Sequence, residues 1–233
     1  MKMRIAKFIA DSGVTSRRGA EQMIARGAVA VNGVVIKTPV HFVEDSDEIT
    51  IDGKPIKKRA DTRVYAFHKP NGTVTTTHDP RGRNTIYDIL PQKYRNLRYV
   101  GRLDFNTTGL LLMTNDGLLA RKLTMPDSNI PRVYLADVSG NNMSKLDKAR
   151  RGVTIDGIKY RPMKIDVMPD GRLRVTVTEG KKNEVRLVLK YCGLPVRKLH
   201  RIMYGPVSLG NIPVGKIIEL DEKTIDALMK TSL

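Results

Sequence analysis

The stretch Tyr99–Gly117, YVGRLDFNTTGLLLMTNDG, joins a polar loop directly to an apolar run. The run GLLLM, closed by the turn residues Asn115, Asp116 and Gly117, predicts a buried strand followed by a turn. The loop before it carries Arg102, Asp104, Asn106, Thr107 and Thr108. Asp104 has two readings at this point. It can end one strand as an Asx-type turn residue bonded to backbone near Asn106. It can equally be a carboxylate at the mouth of a site, where it is ionised at neutral pH and attacks without a general base. In that second role it needs a nearby cation to hold its charge once bound substrate excludes water.

Downstream of this strand, LLARKLTMP predicts a short helix with Leu119 and Leu123 on one face. RVYLADVSG and RLRVTVTEG alternate as half-buried antiparallel strands. NEVRLVLKYCG places Val185, Val188 and Leu189 at helical spacing, with Gly193 as the stop. Upstream, VYAFHKPNGTVTTT predicts strand, turn, strand, with Pro70 and Gly72 shaping the turn. Strands and helices do not alternate strictly, so residues 64–233 are expected to form an α+β domain with a central mixed, mainly antiparallel sheet.

The N-terminal part has a different grammar. RIAKFIADSG (4–13) puts Ile5, Phe8 and Ile9 on one helical face. TSRRGAEQMIARG offers Thr15 or Ser16 as N-cap, Ala20, Met23 and Ile24 as the buried stripe, and Gly27 as the stop. AVAVNGVVI and EITIDGKPI then predict hairpins turning at Asn32-Gly33 and Asp52-Gly53. Residues 1–60 are therefore expected to be a separate small domain, with the basic stretch Lys57–Arg63 as linker. Arg17 and Arg18 fall in the first turn of the second helix, where the macrodipole disfavours cations. A phosphate partner explains that placement; two solvated arginines on an exposed face are the alternative.

Composition limits the partners. Of 233 residues, 41 are Lys or Arg and 24 are Asp or Glu, a net charge of +17 that calls for a polyanion. No apolar run reaches the roughly 18 residues of a spanning helix, so nucleic acid is expected and a membrane is not. The lone cysteine, Cys192, excludes an internal disulfide framework and suits a reducing cytoplasm. Four dispersed histidines give no metal site, and the absence of a glycine-rich phosphate loop gives no nucleotide cofactor. No extended coiled-coil pattern is present, so a monomer is the expectation.

The helix–helix–hairpin order with SRRGAEQMIARGAVAVNG resembles the S-four-type RNA-binding domain. GRLDFNTTGLLLMTNDG resembles the signature of bacterial rRNA pseudouridine synthases of the RsuA/RluB type, and HKPNGTVTTTHDPRGRNTIYDILP, PRVYLADV and EGKKNEVRLVLKYCGLPVRKLHRIMYGPVSL match the same family in order. The resemblance implies an S-four-type domain joined to a catalytic domain that isomerises uridine without cofactor or metal. It implies Asp104 as the attacking carboxylate and Tyr134 as the residue packing on the base. Arg186 is then the cation paired with Asp104, and Arg102 and Leu103 hold the flipped nucleotide or fill its place. Arg17 and Arg18 become RNA contacts. HDPRGRNTIYDILP is closest to the large-subunit, RluB-like members, although Leu187 stands where those relatives carry a second arginine. The expected partner is a hairpin of large-subunit rRNA or a pre-ribosomal particle. The alternatives are a non-catalytic RNA-binding assembly factor and a small-subunit rRNA or tRNA synthase of the same chemistry.

Overall fold

A computed structural model describes residues 2–56, 62–140 and 143–231. The chain divides into two compact units, Met1–Thr62 with Asn115–Gly117, and Arg63–Thr114 with Leu118–Leu233. Lys57–Asp61 of the expected linker lie outside the described residues.

In the first unit, β1 (Met3–Arg4) leads into α1 (Ile5–Asp11) and α2 (Arg17–Ala25). The Ser16 hydroxyl caps α2 by accepting from the Gly19 N–H. Two hairpins follow, β2 (Val29–Val31) with β3 (Val34–Val35), and, after β4 (Phe42–Val43), β5 (Ile49–Ile51) with β6 (Lys54–Ile56). Both turns use consecutive positive-φ residues: Asn32 at 50° with Gly33 at 81°, and Asp52 at 48° with Gly53 at 75°. This is the twist a two-residue hairpin needs. Ile5, Phe8, Ile9, Ala20, Ile24, Val29, Ile49 and Ile51 form the core. Arg17 and Arg18 are exposed.

The second unit is built on one mixed sheet of β7 (Val64–Lys69), β8 (Arg98–Val100), β9 (Thr107–Thr114), β10 (Arg132–Val138), β13 (Lys164–Val167), β14 (Leu173–Val177), β15 (Val196–Tyr204), β16 (Val207–Ser208) and β17 (Ile217–Glu219). The small hairpin of β11 (Val153–Ile155) and β12 (Ile158–Tyr160) lies apart from it in hydrogen bonding. The spine runs β13-β14-β10-β15-β9-β7-β17; β9 pairs in parallel with β15, while the sheet's other pairings are antiparallel. The helices are α3 (Ile86–Ile89), α4 (Gly117–Thr124), α5 (Leu146–Arg151), α6 (Glu184–Tyr191) and α7 (Glu222–Lys230).

The apolar run of β9 is buried on both faces. Leu111 and Met113 join a core with Phe67, Tyr134, Val175 and Val188, while Leu110 and Leu112 join a second core with Ala66, Leu123 and Tyr204. Successive side chains of a strand point to opposite faces, so a central strand clothed on both sides has no polar position to spare.

One expectation is corrected. The segment Thr73–Thr77 forms no second strand; it makes a single bridge, Val74 to Thr85. Its threonines spend their hydroxyls on neighbouring loops, Thr73 on the Pro70 carbonyl and Thr75 on Leu103. β-propensity scored the composition, but the segment lacks a strand partner on either side.

The close approach of β9 to β15 depends on Gly109, at φ +104°, because a Cβ there would overlap the Arg201 carbonyl oxygen. Gly109→Ala is expected to destabilise the protein by about 3 kcal/mol or more, through combined overlap and backbone strain. Urea unfolding of the two proteins measures it; equal midpoints would refute the account.

Candidate active site

The loop between β8 and β9 turns on its backbone. The Thr107 N–H donates to the Asp104 carbonyl at 3.0 Å, so the turn is closed without the Asp104 side chain, which is exposed. The Asx-turn reading is therefore not the one the loop adopts. Three residues at the end of β7 and just after it, Lys69, Gly72 and Thr75, hold this loop in place. The Thr75 hydroxyl donates to the Leu103 carbonyl at 2.8 Å and accepts from the Leu103 N–H at 3.3 Å. The Gly72 N–H donates to the Phe105 carbonyl at 3.1 Å. The Lys69 ammonium, fully buried, donates to the carbonyls of Thr107 at 2.9 Å and Pro70 at 3.0 Å. The side chain of Asp104 thus projects from a main chain fixed on both sides of it.

Asp104, Arg102, Leu103 and Tyr134 line one cavity of about 260 Å³, together with Thr107, Arg132, Glu184 and Arg201. Tyr134 comes from the centre of β10, where it lies opposite Arg201 of β15 and Val175 of β14. Arg186 is not part of the lining. From α6 its guanidinium donates to the Asn106 carbonyl at 2.8 Å and the Val196 carbonyl at 3.0 Å. The sequence expected Arg186 as the cation paired with Asp104; its hydrogen bonds go to these two carbonyls. The two charges still interact: burial lowers the guanidinium from its usual value, and the charge of Asp104 opposes that shift.

The nearest surprise is Lys69. Burial brings its ammonium down to about 8, with the charge of Asp104 resisting and that of Arg201 assisting. A lysine closing the wholly buried strand VYAFHK was a visible anomaly in the sequence. Its role as a brace was not visible, because its partners are main-chain carbonyls. Thr75 and Arg201 were likewise missed, one hidden in a threonine-rich run and the other in the basic run RKLHR.

The far wall carries an acid pair. Glu184, at the start of α6, is 6% exposed and shares a hydrogen bond with Glu179, which also accepts from Lys181 Nζ at 2.6 Å. Burial first, and then the charge of Glu179, raise Glu184 to about 7. A carboxyl whose folded value lies above its unfolded one favours the folded state at low pH, and this contribution is lost as pH rises through about 7. Glu184→Gln is therefore expected to match wild type near about pH 5 and to exceed it by on the order of 2–3 kcal/mol near about pH 8. Thermal melts at the two pH values check this; a variant less stable at both would refute it.

The comparisons with known proteins agree with this architecture. Residues 63–191 match the RNA pseudouridylate synthase family and residues 3–49 match the S4 domain. An uncharacterized RNA pseudouridine synthase of Rickettsia conorii is 37% identical over 96% of this chain and 98% of its own length. The ribosomal large subunit pseudouridine synthase B of Vibrio cholerae is 38% identical over 98% of this chain and 74% of its own. A crystal structure of a pseudouridylate synthase superposes with a TM-score of 0.70 at 27% identity, covering 97% of this chain and 99% of the other. With a family match over residues 63–191, which carry most of the cavity lining, and relatives aligned over nearly the whole chain, this protein belongs to the RNA pseudouridylate synthase family.

Proposed function

We propose that this enzyme converts a uridine of large-subunit rRNA to pseudouridine, with Asp104 as the reacting carboxylate. The observation that carries the reading is the convergence of Asp104, Arg102, Leu103 and Tyr134 on one cavity. The reaction cuts the N1–C1′ bond, turns the uracil and rejoins C5 to C1′. Asp104 starts it, either by attacking C1′ or by withdrawing the proton at C2′. The C5 proton leaves to solvent and N1 takes one up, so no atom is gained or lost overall. Tyr134 supplies a face on which the extruded base packs. Arg186 and Lys69 keep positive charge near Asp104 when the base closes the cavity to water.

The choice of RNA rests on relatives named for the ribosomal large subunit. A net charge of +17 suits a long phosphate track. Arg17 and Arg18, exposed at the start of α2, are RNA contacts in this scheme, and Arg102 and Leu103 hold the flipped nucleotide. Among the described residues no helix is long and apolar enough to cross a membrane; a cytoplasmic monomer acting on rRNA or an assembling subunit is the proposed setting.

Asp104→Asn is expected to abolish tritium release from rRNA labelled at uridine C5 while leaving RNA affinity within about twofold, since the amide keeps the shape and loses the nucleophile. Release that persisted would reduce the protein to an RNA binder or move the chemistry elsewhere. Thr75→Val removes the two-way clamp on Leu103 and is expected to lower kcat by roughly tenfold, the loss from a small misplacement of a reacting group. KM should stay unchanged. A change confined to KM would mean that the clamp serves binding alone.

A further inference from the structure

Two residues that line the cavity each bury a side-chain atom with no hydrogen-bond partner among the described residues, Arg201 Nη2 and Thr107 Oγ1. Arg201 is 2% exposed. Its Nε donates to the Leu110 carbonyl at 2.6 Å, and its guanidinium carbon sits 5.3 Å from the centre of the Tyr204 ring. These contacts fix the plane of the group and leave the buried Nη2 without an acceptor. Arg201 lies opposite Tyr134 on one side and Gly109 on the other, so its unpartnered nitrogen belongs to a residue set between the Tyr134 strand and the strand that follows the Asp104 loop. A buried donor without an acceptor costs stability that Leu or Met in its place would not. A ligand acceptor reaching the cavity removes that cost.

We infer that Arg201 and Thr107 take a carbonyl of the extruded uracil and hold the negative charge that the base carries after the N1–C1′ bond breaks. The inference rests on the isomerase reading above and names two substrate-contacting residues for it. Uracil offers two acceptors, O2 and O4. When N1 departs with the bonding electron pair, the charge spreads over N1 and both carbonyls. Donors already oriented in a water-poor cavity stabilise such a charge without reorganising. A guanidinium N–H can donate and never accept, and no proton is transferred from it. The electron pair that left with N1 returns through C5 to C1′, the C5 proton leaves to solvent, and N1 is protonated. Cytosine would present its amino group where uracil has O4, setting donor against donor at Arg201, which cannot accept, so Arg201 discriminates against cytidine if O4 is the atom it holds.

The test pairs protein variants with single-atom changes in the base. The full chain, Arg201→Met and Thr107→Val are assayed in single turnover on rRNA fragments whose target is uridine, 2-thiouridine or 4-thiouridine. Sulfur is the weaker acceptor. The wild type is expected to slow by roughly tenfold or more on one of the two thio-bases, the size of a hydrogen bond from a charged donor. In Arg201→Met that ratio should fall toward one, and in Thr107→Val it should shrink. Each ratio is taken within a single protein, so a partly unfolded variant does not distort it. A thio effect undiminished in both variants would overturn the inference, as would a wild type indifferent to both sulfurs. Unchanged ratios with weakened RNA binding would assign the two donors to a backbone phosphate instead. A wild type that modifies no uridine at all would remove the parent reading as well.

Discussion

The site depends on one close approach, that of β9 to β15 at Gly109. Here the sheet's parallel pair brings the strand that follows the Asp104 loop against the strand that carries Arg201. On the other side of β15, β10 sets Tyr134 opposite the same arginine. Three strands distant in sequence thus meet within a few backbone positions. A side chain at 109 would push β9 away and with it the whole loop from Gly101 to Thr107. The missing Cβ is therefore a requirement of the cavity as much as of the packing. It sets the distance between the Asp104 loop and the cavity wall that β15 forms.

The electrostatics around this junction follow an uncommon pattern. Lys69, Arg132 and Arg201 are buried and Arg186 is half-buried, yet their hydrogen bonds go mostly to main-chain carbonyls. Carbonyl oxygens satisfy donor geometry without cancelling a full charge. Ordinary ion pairs occur as well: Lys181 with Glu179 on the cavity wall, and Arg172 with Asp170 and Arg197 with Asp137 on the surface. Such exposed pairs add little stability. The cavity therefore keeps net positive character facing Asp104, and the acids on its far wall do not offset it fully, because Glu184 holds its proton up to about 7. An RNA segment entering this field meets attraction for its phosphates and for any charge developing on its base.

Much of this was legible in the sequence, for identifiable reasons. Asn32-Gly33 and Asp52-Gly53 announced their turns because positive φ restricts the residues that fit. The run GLLLM announced a buried strand because burial on both faces leaves no alternation. Asp104 and Tyr134 were marked by resemblance, and the fold brings both to one cavity. What stayed hidden were relations between side chains and distant backbone. Thr75 to Leu103 spans 28 positions and Arg201 to Leu110 spans 91; neither partner is chosen by its own side chain, so no residue pattern betrays the contact. Arg186 shows the same effect in reverse. Its proximity to Asp104 was foreseen, but its hydrogen bonds went to carbonyls of residues 106 and 196, which any amino acid there could have offered.

The braced loop and the unspent donors together suggest how the cost of extruding a base is met. Taking a uridine out of its stack costs a few kcal/mol. Stacking on an aromatic ring returns about 1–3 kcal/mol whatever the base, so Tyr134 alone would admit any pyrimidine. A rigid site cannot recover more by closing around the base, because Lys69, Gly72 and Thr75 already hold the loop. Phosphate contacts along the basic chain supply part of the remainder, and groups left unsatisfied beside the cavity can supply selectivity. Arg201 Nη2 and Thr107 Oγ1 are such groups, and an unpaired buried donor forgoes about 1–3 kcal/mol. A base with an acceptor in the right place recovers that energy; one that offers a donor there does not. Rigidity and selectivity then have one origin, since only a wall that cannot relax to satisfy its own donors keeps them available for the base.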